Sequence, residues 1–135
     1  THLPALLQQG RCRLRVRVSP LMLIDSLEMT PHDRARIAAA CRRARERHIV
    51  ITHGTDTMCD TARYLAQALP GKTIVLTGAM IPITFGSSDG LFNLGSAVAF
   101  VQTLPPGVYV AMNGQWFPAH SVRKNMRTGI FEEKE

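Results

Sequence analysis

The sequence lacks most of what would mark a membrane, metal or disulfide protein. No apolar run approaches the roughly 20 residues that span a bilayer. The opening THLPALLQQG has no basic start leading into an apolar stretch, so it does not read as a signal peptide. There are only three cysteines, Cys12, Cys41 and Cys59. An odd count without close pairing argues against a disulfide framework, and neither a CxxC nor a His/Cys/Asp cluster offers metal-ligand spacing. The thiols read as free cysteines in a reducing cytoplasm. Glycine-rich phosphate loops and the GxSxG motif are also missing, as are internal repeats, low-complexity stretches and linkers. No Met opens the chain, which leads to the expectation that it begins in mid-domain.

What remains is an ordinary globular balance. The chain has 135 residues, the size of one domain, with 45% hydrophobic and 19% charged residues. The net charge of +6 is concentrated. Arg11, Arg13, Arg15 and Arg17 alternate with apolar residues, which predicts a strand over 12–18 with one solvated face. Arg34, Arg36, Arg42, Arg43, Arg45 and Arg47 share one segment, read as a surface helix. No aromatic residues are interleaved among them for base stacking, which speaks against nucleic acid.

Strands and helices alternate. Residues 3–9 look like the tail of a helix. Thr30 is a good N-cap, Pro31 fits the first helical position and Asp33 suits the positive end of the helix dipole. The helix they open is expected to run through His48, burying Ile37, Ala40, Cys41 and Ala44. The runs 48–52, 73–77 and 108–112 are short, apolar and mostly β-branched, as strands covered on both faces are. Helices are expected at 57–69 and 91–102. The tail reads as irregular or hairpin, with a helical turn near Val122–Met126. This order implies a parallel sheet flanked by helices, and such sheets bind ligands beyond the carboxyl ends of their strands.

That rule points to the segments after the strands. In Thr52-His53-Gly54-Thr55-Asp56-Thr57 a strand ends, a glycine turns and Thr-Asp-Thr opens a helix. Asp56 or Thr57 could be no more than an N-cap. Capping needs only one of these side chains, however. Asp56 could bind an ammonium group, and Thr55 could attack a carbonyl if a base activated it. Lys124 is the candidate base, since a desolvated lysine gives up its proton more readily; its alternative is a solvated surface lysine. Asp25-Ser26 could hold a carboxylate or form a turn. Gly78, followed by Ala79 and Met80, could let the backbone approach a ligand. His53 is either a general base or a residue bonded to backbone. Cys59, beside the Thr-Asp-Thr segment, is either reactive or a small residue packed in a helix's first turn.

Taken together, ITHGTDTM, IVLTGAM, the polar loop with SSDG and FNL, VYVAMNG and the upstream IDSLEMTPHDR resemble the bacterial-type L-asparaginase/glutaminase family over most of residues 21–128. The end soon after VRKN resembles its compact single-domain branch. The resemblance implies a three-layer, flavodoxin-like α/β fold, with residues 1–135 as one asparaginase-type domain. It further implies that Thr55 is the second of two catalytic threonines, in a triad with Asp56 and Lys124. Ser26 would hold the substrate α-carboxylate together with backbone from Asp25 through Leu27 and from Gly54. Asp56 would bind the α-amino group, and the Ala79 carbonyl would meet the side-chain amide. The family's first threonine lies in a Thr-Gly-Gly-Thr-Ile segment followed by a lid, and neither is in this sequence. Leu27 stands where larger members often have Gln or Ser.

The function so implied is hydrolysis of L-asparagine to L-aspartate and ammonia, without metal or cofactor, in a cytoplasmic homo-oligomer (dimer or tetramer) that engages neither nucleic acid nor membrane. Two rivals are an inactive aspartate- or asparagine-binding sensor and a basic interaction domain using residues 34–47.

Overall fold

The computed structural model describes residues 3–22, 26–69 and 71–134. Three strands, β1 (His48–Thr52), β2 (Thr73–Thr77) and β3 (Gly107–Met112), are parallel neighbours in that order. Their registers pair Thr52 with Thr77 and Leu76 with Val110, so the three carboxyl ends lie at one edge of the sheet. A fourth strand, β4 (Gln115–Pro118), returns antiparallel beside β3. The turn between them is Asn113-Gly114, both at positive φ (59° and 75°), the two-residue hairpin that Asn-Gly favours.

Helices cover both faces. α2 (Pro31–Arg43) and α3 (Met58–Ala68) pack on one face, against Ile74, Leu76, Val108, Val110 and Met112. α4 (Gly90–Thr103) packs on the other, where Val75, Tyr109 and Ala111 meet Ala97 and Val101. The strand side chains alternate between the two clusters residue by residue, as a pleated strand requires. The expected three-layer α/β fold is therefore present. α1 (Leu3–Gln9) precedes these layers.

α2 begins as expected. The Thr30 hydroxyl accepts the Asp33 N–H (3.2 Å) and the Asp33 carboxylate accepts the Thr30 N–H (3.0 Å), a reciprocal capping box. It ends earlier than expected, at Arg43, because Ala44 is extended and the Lys72 ammonium takes the carbonyls of Cys41 and Ala44. Arg45 and Arg47 therefore lie beyond the helix. Its buried residues are Ile37, Ala38 and Cys41, with Ala40 and Ala44 only partly covered.

Two expectations fail. Residues 12–18 form no strand. Leu14 and Val16 are both exposed, no strand pairs with the segment, and Arg17 is held by Glu46 at 2.8 Å instead. A period of two cannot make a strand without a partner edge and a core to face. Likewise, no helical turn covers 122–126. A 3-10 turn occupies Ala119–Ser121, and β5 (Val122–Lys124) pairs antiparallel with β6 (Phe131–Glu133) in a separate ribbon. Asn125 closes this ribbon: its side-chain oxygen accepts the N–H groups of Arg127 and Thr128.

Val122 and Phe131 anchor the ribbon in the α2/α3 core, both essentially fully buried. Phe131→Ala is expected to lower stability by roughly 3–5 kcal/mol, the usual cost of emptying an aromatic core site. Urea denaturation measures it, and a loss below about 1 kcal/mol would show that the ribbon is not anchored there.

Candidate functional site

Thr55 and Asp56 sit just past the end of β1, where the chain turns at Gly54 before α3 begins at Met58. Lys124, the last residue of β5, reaches them from a distant part of the chain. Its Nζ donates to Thr55 Oγ1 (2.9 Å) and to Asp56 Oδ1 (2.6 Å). The lysine side chain is only 9% exposed and the Asp56 side chain 32%. Burying an ammonium group is costly unless it is paired and hydrogen-bonded, and here one carboxylate and one hydroxyl do both. The surface-lysine alternative for Lys124 is thus excluded. Asp56 is no helix cap; Thr57 holds the N-cap position but makes no side-chain cap bond.

Thr57 has another task. Its hydroxyl donates to the Ser26 carbonyl at 2.7 Å, tying the short 3-10 turn Ser26–Glu28 to the 54–57 segment. Ser26 is buried and lies directly against Gly54: a Cβ at Gly54 would come within 2.7 Å of the Ser26 Cβ and 2.9 Å of its Oγ. Glycine is needed there for that approach, not only for a turn. The structure thus brings Ser26, Gly54, Thr55, Asp56 and Lys124 into one cluster. Leu27 projects outward and is 69% exposed. Asp25 lies outside the described residues.

Ala79 stands at the end of β2, beside the end of β1. Gly78 lies tight against β1 on the side where a side chain would project. A Cβ there would overlap the His53 carbonyl and touch the Met58 methyl group, so the glycine lets β2 close onto β1. Cys59 is buried in the first turn of α3, and burial pushes its thiol up, away from reactivity. Among the described residues no group of three or more His, Cys, Asp or Glu could hold a metal ion, and no helix is long and apolar enough to cross a membrane.

Sequence reasoning missed Thr57, because its role depends on a carbonyl 31 residues away. It also missed Arg63. That guanidinium pairs with Asp60 and donates to the Val122 carbonyl (3.2 Å), fastening α3 to the strand that carries Lys124.

His53 is engaged at both ring nitrogens, with Gly54 O at 2.7 Å from Nδ1 and Thr61 Oγ1 at 2.8 Å from Nε2. A carbonyl can only accept, so Nδ1 carries the proton. Arg34 Nε donates to the Thr61 hydroxyl (2.9 Å), which leaves the hydroxyl proton for Nε2. The imidazole is a neutral brace between strand end and helix, in line with the backbone-bonded alternative. Burial pushes its pKa below the ordinary 6.5, and Arg34 acts in the same direction. A histidine whose pKa is depressed on folding binds more protons when unfolded. Stability is therefore complete above pH 6.5 and falls as the pH drops through that value towards the folded pKa. The unfolding free energy is expected to decline between pH 7 and 5, and His53→Gln to remove much of that slope. Urea titrations across that range test this, and an unchanged slope in the variant would assign the decline to other groups.

Comparison with known proteins shows the family. Residues 2–131 match the family model described as Asparaginase, N-terminal. The L-asparaginase of Thermococcus kodakarensis is 38% identical over 101 residues, covering 72% of this chain and 31% of the relative. The glutaminase-asparaginase of Acinetobacter glutaminasificans is 46% identical over 89 residues, covering 62% of this chain and 27% of the relative. Among solved structures, the thermostable L-asparaginase from Thermococcus kodakarensis superposes with a TM-score of 0.85 at 32% identity, covering 96% of this chain and 43% of that one. A chain described as a probable cytoplasmic L-asparaginase from Campylobacter jejuni does so with a TM-score of 0.84 at 34% identity, covering 97% and 44%. The chain therefore spans less than half the length of these relatives, and it belongs to the asparaginase family, within which it corresponds to the N-terminal domain.

Proposed function

We propose that the protein carrying this domain hydrolyses L-asparagine to L-aspartate and ammonia. The observation that carries this reading is the Lys124 ammonium bound at once to Thr55 and Asp56, beside buried Ser26, at the carboxyl ends of parallel strands. The names of the relatives support it. In this reading a threonine hydroxyl attacks the side-chain amide carbon and ammonia leaves. Water then releases the acyl-enzyme, so that one hard step becomes two easier ones. For this step Lys124 acts as the neutral amine, its ammonium having first released a proton to solvent. It takes the proton from Thr55 and passes it to the departing nitrogen, while Asp56 orients the lysine and holds the substrate ammonium. Ser26, with backbone from Asp25 through Leu27 and from Gly54, receives the α-carboxylate. The Ala79 carbonyl accepts from the side-chain amide.

The same reading treats residues 1–135 as one asparaginase-type domain and assigns the family's first threonine and lid to a preceding segment. The open edge of β1, which no strand among the described residues pairs, supports this. It also places the protein in the cytoplasm, supported by the free thiols and the Campylobacter jejuni neighbour, as a dimer or tetramer, supported by exposed Phe92, Met126 and Ile130. Leu27, standing where larger members often have Gln or Ser, favours a second reading, an inactive sensor of aspartate or asparagine.

Thr55→Val and Lys124→Met are each expected to cut turnover by about a hundredfold or more, the scale of losing a proton-handling group, with the fold retained by circular dichroism. Ammonia release from L-asparagine and L-glutamine, by this chain and by one extended upstream, measures it. Near-native activity in Thr55→Val would overturn its assignment. Tight aspartate binding without ammonia release from the extended chain would favour the sensor.

A further inference from the structure

The SSDG segment and the FNL that follows take no part in the cluster around Lys124, yet their polar side chains converge on the loop that carries Ala79. The Asp89 carboxylate accepts two successive backbone N–H groups, that of Met80 at 3.1 Å and that of Ile81 at 2.9 Å. The Asn93 amide, buried in α4, donates to the Gly78 carbonyl at 2.8 Å and to Asp89 at 2.9 Å. The Ser88 hydroxyl bonds the Ile81 carbonyl and accepts the Gly90 N–H. At the start of the loop, the Thr77 hydroxyl is fixed to the Ala111 carbonyl of β3 at 2.7 Å, and Gly78 is pressed against His53.

The backbone is thus held on both sides of Ala79. Gly78 is held through its carbonyl, Met80 through its N–H, and Ile81 through both groups. Among the described residues the Ala79 carbonyl itself takes no hydrogen bond. A carbonyl oxygen accepts and cannot donate, so a fixed and unused one attracts an amide NH2 and repels a carboxylate oxygen. Burial pushes the Asp89 carboxyl up, but the Ile81 and Met80 N–H groups and Asn93 more than offset this, keeping the clamp ionised.

We infer that Asp89 and Asn93 are positioning residues that aim the Ala79 carbonyl at the substrate carboxamide and so make the site prefer the amide to its carboxylate product. The inference rests on the amidohydrolase reading above. It is tested with Asp89→Asn in the protein at its full natural length. The substitution removes one acceptor oxygen and turns an NH2 towards groups that are themselves donors. The KM for L-asparagine is expected to rise about tenfold, the scale of one well-placed hydrogen bond, while the inhibition constant of L-aspartate stays within about twofold. A merely structural defect would weaken both ligands together, and that outcome, or no change in either, overturns the inference. Ser88→Ala, which removes the Ile81 and Gly90 contacts but leaves Asp89 and Asn93 in place, is expected to shift the same ratio in the same direction by a smaller factor, and decides the matter if Asp89→Asn fails to fold. A wild-type protein that releases no ammonia overturns the amidohydrolase reading as well, whereas an active wild type without the split overturns this inference alone.

Discussion

The structure turns on one buried ammonium group. Lys124 meets Thr55 and Asp56 across 69 and 68 residues of sequence, and much of the α2/α3 side of the molecule holds that meeting in place. Its position comes from a two-stranded ribbon that is too small to be stable alone. The ribbon borrows stability from Val122 and Phe131 in the core, from Arg63 on α3 and from Asn113, whose side chain accepts the Phe131 N–H at the β3–β4 turn. A lysine removed from water and ion-paired costs free energy in isolation, so its burial has to be supported by the packing of the elements around it.

The second constraint is closeness at the strand ends. Gly54 and Gly78 are adjacent in space to Ser26 and His53, and neither could carry a side chain without displacing its neighbour. These two contacts bring the Ser26 turn, the end of β1 and the end of β2 together. The His53–Thr61–Arg34 chain then links this junction to α3 and α2, so that the same helices that cover the sheet also fix the loops.

The basic character of the chain has a plain structural account in part. Arg17 and Arg123 lie on the surface with acidic partners, Arg42 and Arg43 complement the carboxyl end of α2, and Lys72 closes that end. Arg45 and Arg47 are exposed beyond the helix, and among the described residues neither side chain has an acidic partner.

The layers were legible in the residue pattern alone. The apolar β-branched runs at 48–52, 73–77 and 108–112 could satisfy their side chains only between two helical covers, and each is a strand of the sheet. The capping signal at Thr30-Pro31-Asp33 acts locally, so it too was legible, and the HGTDT segment marked the carboxyl end of β1. Tertiary structure decided what depends on distant partners. The alternating arginines at 11–17 make no strand because no edge receives them, whereas the short run 122–124 makes one because 131–133 does. Lys124 was one cation among many until the ribbon folded against α3. Thr57, Arg63, Asp89 and Asn93 took on their tasks only when backbone groups far along the chain, or across a loop, came within hydrogen-bond distance. Side-chain pattern records what a residue prefers to face; it does not record which carbonyl or N–H will be waiting there.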